Sequence, residues 1–486
     1  MPRWRSAAEF RGRLGGDDMD PTGLTLLEQA GLLARGECSS REIVAAHLDR
    51  IARLDDRLHA FVDVYADEAR HLADAADHAR RARLPLGPLH GLPICIKDLC
   101  DIAGRVGTIG SRMWASRQAE RTSATVERLL AAGMIPLGKT HMVEFAFGAW
   151  GTNPLMGTPW NPWDTTTHRV PGGSSSGTAV AVAAGLAPAG IGSDTGGSVR
   201  IPSAFTGLVG LKVTHGRISL HGTGLLSWTL DTIGPMARCV EDCAELLRIL
   251  AGPDPRDPAS LGQPPLALPD APMRGEVRGM RIALPERAQM PAFVHAAVLD
   301  ALDGAARMLE ARGAAVEPVR LPQWYFDLAP RTGAVMASEA YAQHREWIAD
   351  PAQPIGDAVR ARILAARALA PGEYAESLRM MAERRRQFVE EWLGRFDALL
   401  MPSVPMPAPA VADVDEASPA PAFFTRPVNY LGLAALAMPA GLHDGLPIGV
   451  QLVGAPFAER RLLEIGKALQ DDGGFCRLRP PALDHP

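Results

Sequence analysis

Apolar residues recur at helical spacing early in the chain: Ile43, Val44, His47, Leu48 and Ile51 predict a helix with one buried face. Thr25 with Glu28, and Ser39 with Glu42, stand at capping-box spacing before apolar periodic runs and mark two helix starts. Residues 66–83, ADEARHLADAADHARRAR, read as a further helix, rich in alanine and charge. The pattern then shortens. Residues 87–102, GPLHGLPICIKDLCDI, predict a turn followed by a short apolar strand. Residues 126–132 read as a helix and residues 134–138 as a strand, where Pro136 argues for a sheet edge or a strand end.

From 171 to 213 the chain is rich in Gly and Ser, with a helix over 178–187 and short strands around it. The proline-rich residues 252–279 hold few apolar pairs and read as a linker or a long surface excursion. A second block follows, with strands over 281–284 and 315–319 and a helix over 294–312. Helices then dominate to residue 396. Residues 398–411 predict a strand running into a proline-rich loop, and a strand over 448–453 with a helix over 458–470 closes the chain. Alternating strands and helices imply an α/β fold, with no internal repeat.

Composition changes this picture little. The 486 residues are 47% hydrophobic and 22% charged, as in an ordinary globular protein. A net charge of −5 gives no nucleic-acid footprint, and the basic runs at Arg80, Arg81, Arg83 and at Arg384, Arg385, Arg386 fall within helical patterns. The N-terminus lacks the apolar core of a secretory signal, and no run of about 18 apolar residues predicts a membrane span. Six cysteines without paired metal spacing, Cys239 and Cys243 included, read as reduced thiols of a cytoplasmic protein. His141 and Glu144 could suggest a metal-ligand pair on a helix, but no partners complete a set.

The chemistry concentrates in three stretches. Residues 171–177, PGGSSSG, lack the Lys that follows the last glycine of a phosphate loop. GSSSG over 173–177 matches the nucleophile-elbow pattern, which would make Ser175 the nucleophile. That motif needs an apolar strand just before it, and TTTHRVPG is polar and ends in proline. Farther on, GSDTGGS over 192–198 is a run of small residues whose backbone N–H groups can converge on one point, as an oxyanion requires. His215 and His221 follow as candidate bases, without an orienting acid at a telling spacing. Lys97 is the other candidate. In a strand it shares a face with Cys95 while Ile94 and Ile96 share the opposite one, so it closes an apolar run. Burial lowers a lysine pKa by up to ~3–5 units and lets it act as a neutral base; a surface lysine at a strand end is the plain alternative.

GLPICIKD, PGGSSSGTAVAVAAG and GSDTGGSVRIPS, in this order and spacing, resemble the amidase signature family. AAGMIPLGKTHMVEFAFG, GTPWNPWD, LDTIGPMAR and GLPIGVQLVG extend the resemblance from about residue 24 to 471. It implies one large α/β domain over 23–472, with a central mixed sheet flanked by helices on both faces. The catalytic core would span about 85–250, after a loosely ordered 1–22 and before a tail of 473–486. It implies a Ser–cis-Ser–Lys triad: Ser198 as nucleophile, Ser174 as relay after a cis Gly173–Ser174 peptide, and Lys97 as base. Thr195, Gly196, Gly197 and Ser198 would supply the oxyanion hole, with Ser175 and Ser176 as supporting residues. Asp194 and Arg200 would be supporting polar residues, expected as a buried ion pair.

Phe147, Gly148 and Ala149 match the segment lining the acyl pocket in the family. Ile201 is apolar where amidotransferase A-type subunits carry Gln and some carboxylate-reading members carry Arg. That favours a neutral aryl or aliphatic amide, with esters or carbamates as further substrates, hydrolysed by a stand-alone amidase. The alternative is the A-type glutaminase subunit of a tRNA-dependent amidotransferase. Trp150, Trp160, Trp163 and Trp228 are candidate pocket residues. The expected partners are a small-molecule amide and a second copy in a homodimer, with no cofactor, metal, nucleic acid or membrane.

Overall fold

The computed structural model describes residues 20–269, 271–481 and 483. Most of the N-terminal segment expected to be loose, residues 1–19, lies outside them; residues 21–23 form a turn capped by the Asp20 carboxylate. Both expected capping boxes are formed, on Thr25 and Ser39, and open the helices Leu26–Arg35 and Ser40–Leu58.

Eleven strands build one sheet. They are β1 (Phe61–Val64), β2 (Pro93–Lys97), β3 (Ile135–Thr140), β4 (Ala189–Ser193), β5 (Val209–Lys212) and β6 (Ile233–Ala237). Then come β7 (Arg281–Pro285), β8 (Ala315–Val319), β9 (Ala398–Pro402), β10 (Ala434–His443) and β11 (Leu446–Gly454). Their order is β1-β3-β2-β4-β6-β5-β10-β11-β9-β7-β8. β2 runs parallel to β3 and β4, and β7 parallel to β8 and β9, while the other pairs are antiparallel. The proline-rich residues 252–279 lie in the sequence between β6 and β7, two strands of the same sheet.

Side-chain alternation sorts the strands between two cores. On β2, Ile94 and Ile96 join one apolar cluster, with the helices Val240–Leu250 and Glu459–Gly473. Cys95 joins the other, with the helices Ser40–Leu58 and Ser176–Ala183. Helices thus cover both faces, which is why β2 is buried throughout. The same parity aims Lys97 toward the Ser176–Ala183 side. Pro136 sits in an interior strand, not at a sheet edge: β3 pairs β1 only from Gly138 to Thr140, so the proline precedes that ladder, at the strand end. The long strand β10 shows no alternation in AALAMPAGLH because residues 434–439 are buried on both faces. The helix expected over 178–187 runs from Ser176 to Ala183.

One polar cluster crosses these layers. Asp194, after β4, and Arg200, opening the helix Arg200–Thr206, are both fully buried and meet through Arg200 Nε and Nη2, each donating at 3.0 Å. Arg200 also donates to Gln451 Oε1 on β11 (2.8 Å) and to Asn429 Oδ1 (2.6 Å). Gln451 donates in turn to the Pro402 and Phe424 carbonyls. Burial pushes the Asp194 carboxyl pKa up, but Arg200, Lys212 and the Asn429 amide outweigh it and hold it well below the usual range. Removing one member of such a pair strands a buried charge. Arg200→Met is expected to cost about 3–5 kcal/mol in urea unfolding, and the double variant Asp194→Leu/Arg200→Met less than the sum of its singles.

Candidate active site

The turn before the helix Ser176–Ala183 faces the end of β2. Lys97 Nζ lies 2.7 Å from Ser174 Oγ and 2.8 Å from Ser193 Oγ, and all but the slightly accessible Ser193 are completely buried. The Gly173–Ser174 peptide is cis. The Ser174 carbonyl accepts from Val143 N–H at 3.1 Å, which anchors the turn against the segment after β3. Ser175 N–H donates to the Ser198 carbonyl at 3.3 Å, so the two serine-bearing turns are in direct contact. Burial lowers the Lys97 pKa to about 7, against the opposing pull of Cys100, Asp231 and Asp194. A lysine with that pKa is substantially neutral near pH 7 and can take a proton.

Ser198 lies beyond, on the floor of a cavity of about 240 Å³. Thr195, Gly196 and Ser198 line it, as do the expected pocket residues Phe147, Gly148, Ala149 and Ile201. Gly197 donates its N–H to Asp194 Oδ1 at 2.8 Å, and it is Thr195, Gly196 and Ser198 of this turn that line the cavity. Gly197 holds φ +127°, and a Cβ there would meet Thr425 Oγ1 at 2.3 Å, so glycine is required. The Thr195 hydroxyl donates to Asp231 Oδ1 at 2.5 Å, while Asp231 Oδ2 accepts from the Leu226 and Ser227 amides. Burial raises the Asp231 pKa to about 6.

Several competing candidates are placed elsewhere. Ser175 is fully buried, its Oγ shared between Ser193 N–H and the Ser193 carbonyl, and residues 161–170 form no strand, so the elbow geometry is absent there. Ser176 Oγ is buried without a hydrogen-bond partner among the described residues. His215 Nδ1 faces the Asp231 carbonyl, and neither His215 nor His221 lines the cavity. The stretch from His141 to Glu144 is not an α-helix; Glu144 accepts from Ser111 Oγ and Gly356 N–H. Among the described residues no group of His, Cys, Asp or Glu could hold a metal ion. None of the four candidate tryptophans lines the cavity. Trp150 instead donates to the Asp415 and Ser418 carbonyls and holds that loop over it, and Trp163 donates to the Thr206 carbonyl. Trp160 stacks on His168, and Trp228 is exposed.

Residue-level reading missed Ser193, Asp231, Met336 and Arg426. Ser193 and Asp231 stand inside stretches already singled out, GSDTGGS and LDTIGPMAR. Met336, in the helix Leu328–His344, and Arg426 reach the cavity from distant segments with no local motif.

The lysine environment yields a direct test, because Lys97, Lys139, Lys212 and Lys467 are the chain's only lysines. Burial also lowers the Lys212 pKa to about 7. Carbon-13 Cε labelling of lysine is expected to show two resonances titrating near pH 7, one of which disappears in Lys97→Met.

Comparison with known proteins shows the family and the fold. Residues 42–463 match the family model described as Amidase. The chain is 38% identical over 479 residues to the A-type subunit of glutamyl-tRNA(Gln) amidotransferase from Symbiobacterium thermophilum, covering 92% of this chain and 96% of that protein. Among solved structures it superposes with TM-score 0.86 and 32% identity on a chain from a vestigial protein complex that revealed the evolutionary origins of an s-triazine catabolic enzyme. That match covers 94% of this chain and 100% of the other. The native peptide amidase of Stenotrophomonas maltophilia matches with TM-score 0.78 and 29% identity, over 95% and 99% of the two chains. The family match across nearly the whole chain, with the same α/β architecture, makes this protein a member of the amidase signature family, enzymes that act on amide C–N bonds.

Proposed function

We propose that the protein cleaves a small carboxamide through an acyl-enzyme, with Ser198 as nucleophile, Ser174 as relay and Lys97 as base. The contact that carries this reading is the buried Lys97–Ser174 pair at 2.7 Å, where burial makes the amine a base at neutral pH. Ser198 Oγ attacks the amide carbon as its proton passes to Ser174, whose own proton passes to Lys97. The Thr195, Gly196 and Ser198 amides face the developing oxyanion. The relay reverses to protonate the leaving nitrogen as the C–N bond breaks, and water then releases the acid.

Two assignments share this chemistry. The curated relatives, named as A-type subunits of an amidotransferase, support the glutaminase alternative better than the stand-alone amidase reading. The peptide amidase neighbour and the apolar Ile201 wall support a stand-alone amidase acting on a neutral aryl or aliphatic amide. Ammonia release by the purified chain separates them. A glutaminase of this kind is expected to act on glutamine and to be stimulated by the other subunits and tRNA; a stand-alone amidase turns over its amide without them. Six free thiols support a reducing compartment such as the cytoplasm, and no described helix is long and apolar enough to cross a membrane.

Ser198→Ala and Lys97→Ala are each expected to lower kcat by about 10³-fold or more. An organophosphonate probe is expected to label Ser198; label on Ser175 would restore the elbow reading. Because protonated Lys97 cannot accept a proton, kcat/KM is expected to fall about tenfold per pH unit below pH 7 and to level off above it.

A further inference from the structure

Amide cleavage leaves one feature of the cavity unexplained. Its charged lining side chains are Arg362, Glu416 and Arg426. Arg362 is satisfied: Nη2 donates to Glu416 Oε2 at 2.6 Å and Nη1 to the Phe147 carbonyl at 2.7 Å. Arg426 is not. Its Nε is enclosed and has no hydrogen-bond partner among the described residues. Burial, with Arg362 adding repulsion, lowers its pKa to about 10, so it stays charged at neutral pH. Once Glu416 has cancelled Arg362, the lining keeps one uncompensated positive charge.

The position of that charge is specific. The Arg426 stem crosses the serine-bearing turn, its Cγ 3.4 Å from where a Cβ on Gly196 would stand, with the Met336 thioether 3.5 Å from the same point. Its Nη1 reaches toward the helix Leu328–His344, 3.4 Å from a Cβ position on Gly333. A charged guanidinium whose Nε lacks a partner among the described residues, in a partly dehydrated wall, favours a planar anion. One positive charge matches a monoanionic carboxylate; a phosphate dianion would leave excess negative charge in a lining that already holds Glu416. Ile201 and Met336 then serve as walls for the aliphatic part of the acyl chain.

We propose that the substrate is an amide whose acyl chain ends in a carboxylate, and that Arg426 reads that carboxylate. This rests on the reading of Ser198 as the acylated residue. It fits the glutaminase assignment, changes the substrate of the stand-alone assignment from a neutral to a carboxylate-bearing amide, and places the charge recognition on Arg426, with Ile201 an apolar part of the same lining.

Titration calorimetry of Ser198→Ala tests the inference without turnover. The probes are malonamate, succinamate and glutaramate, each against the neutral amide in which an isopropyl group replaces the carboxylate. At least one diacid monoamide is expected to bind 30-fold or more tighter than its neutral isostere. Adding Arg426→Gln is expected to bring that ratio within threefold, and Arg426→Lys to leave an intermediate ratio, since an ammonium keeps the charge without the bidentate fork. Equal binding of every pair by Ser198→Ala, or a ratio that survives Arg426→Gln, would overturn the inference. Ammonia release by the wild-type chain separates the two ideas. Selective binding without turnover or Ser198 labelling sinks the acyl-enzyme reading and leaves Arg426 standing. Turnover of neutral amides at the same efficiency as the diacid monoamides does the reverse.

Discussion

The arrangement depends on a buried charge pair that is not part of the proposed proton relay. Asp194 gathers the Gly197 and Val199 amides and the Nε and Nη2 of Arg200, which fixes the backbone of the Thr195–Ser198 turn. Arg200 extends the constraint to Gln451 and Asn429, on segments more than 200 residues away. A buried ion pair is weak evidence for net stability, because desolvation offsets much of the attraction. Here its geometric consequence matters more: it commits the Gly197 and Val199 amides to the Asp194 carboxylate.

The same interior sets the state of Lys97. A fully buried ammonium loses hydration, and the nearby Asp194 and Asp231 carboxylates only partly compensate. Asp194 is already engaged by Arg200, and Asp231 by Thr195 and two backbone amides, so neither forms an ion pair with Lys97. The lysine's described side-chain partners are two neutral hydroxyls, Ser174 and Ser193. A direct carboxylate partner would have held the ammonium charged and removed its use as a base.

The cavity is a product of chain return. Its floor and one wall come from residues 146–149 and 195–201, the segments rich in motif. The opposite wall comes from the helix Leu328–His344, the loop 416–419 and Arg426. Glu339 ties that helix to the floor, accepting from Ser227 and Thr229 in the loop whose amides Asp231 holds. The proposed chemistry and the proposed carboxylate recognition thus draw on different parts of the chain.

That division explains what was legible. Capping boxes at Thr25 and Ser39 and the short apolar strand β2 depend on neighbours a few residues apart, so local spacing was enough. The α/β alternation was readable for the same reason. The strand β10 was not, because a strand covered on both faces loses the period-two pattern that reveals strands. Nor were the commitment of the Gly197 amide, the second hydroxyl on Lys97 and the Arg426 Nε that has no partner among the described residues. Each is decided by which distant groups satisfy a polar atom once water is excluded, and only the folded chain brings those groups together.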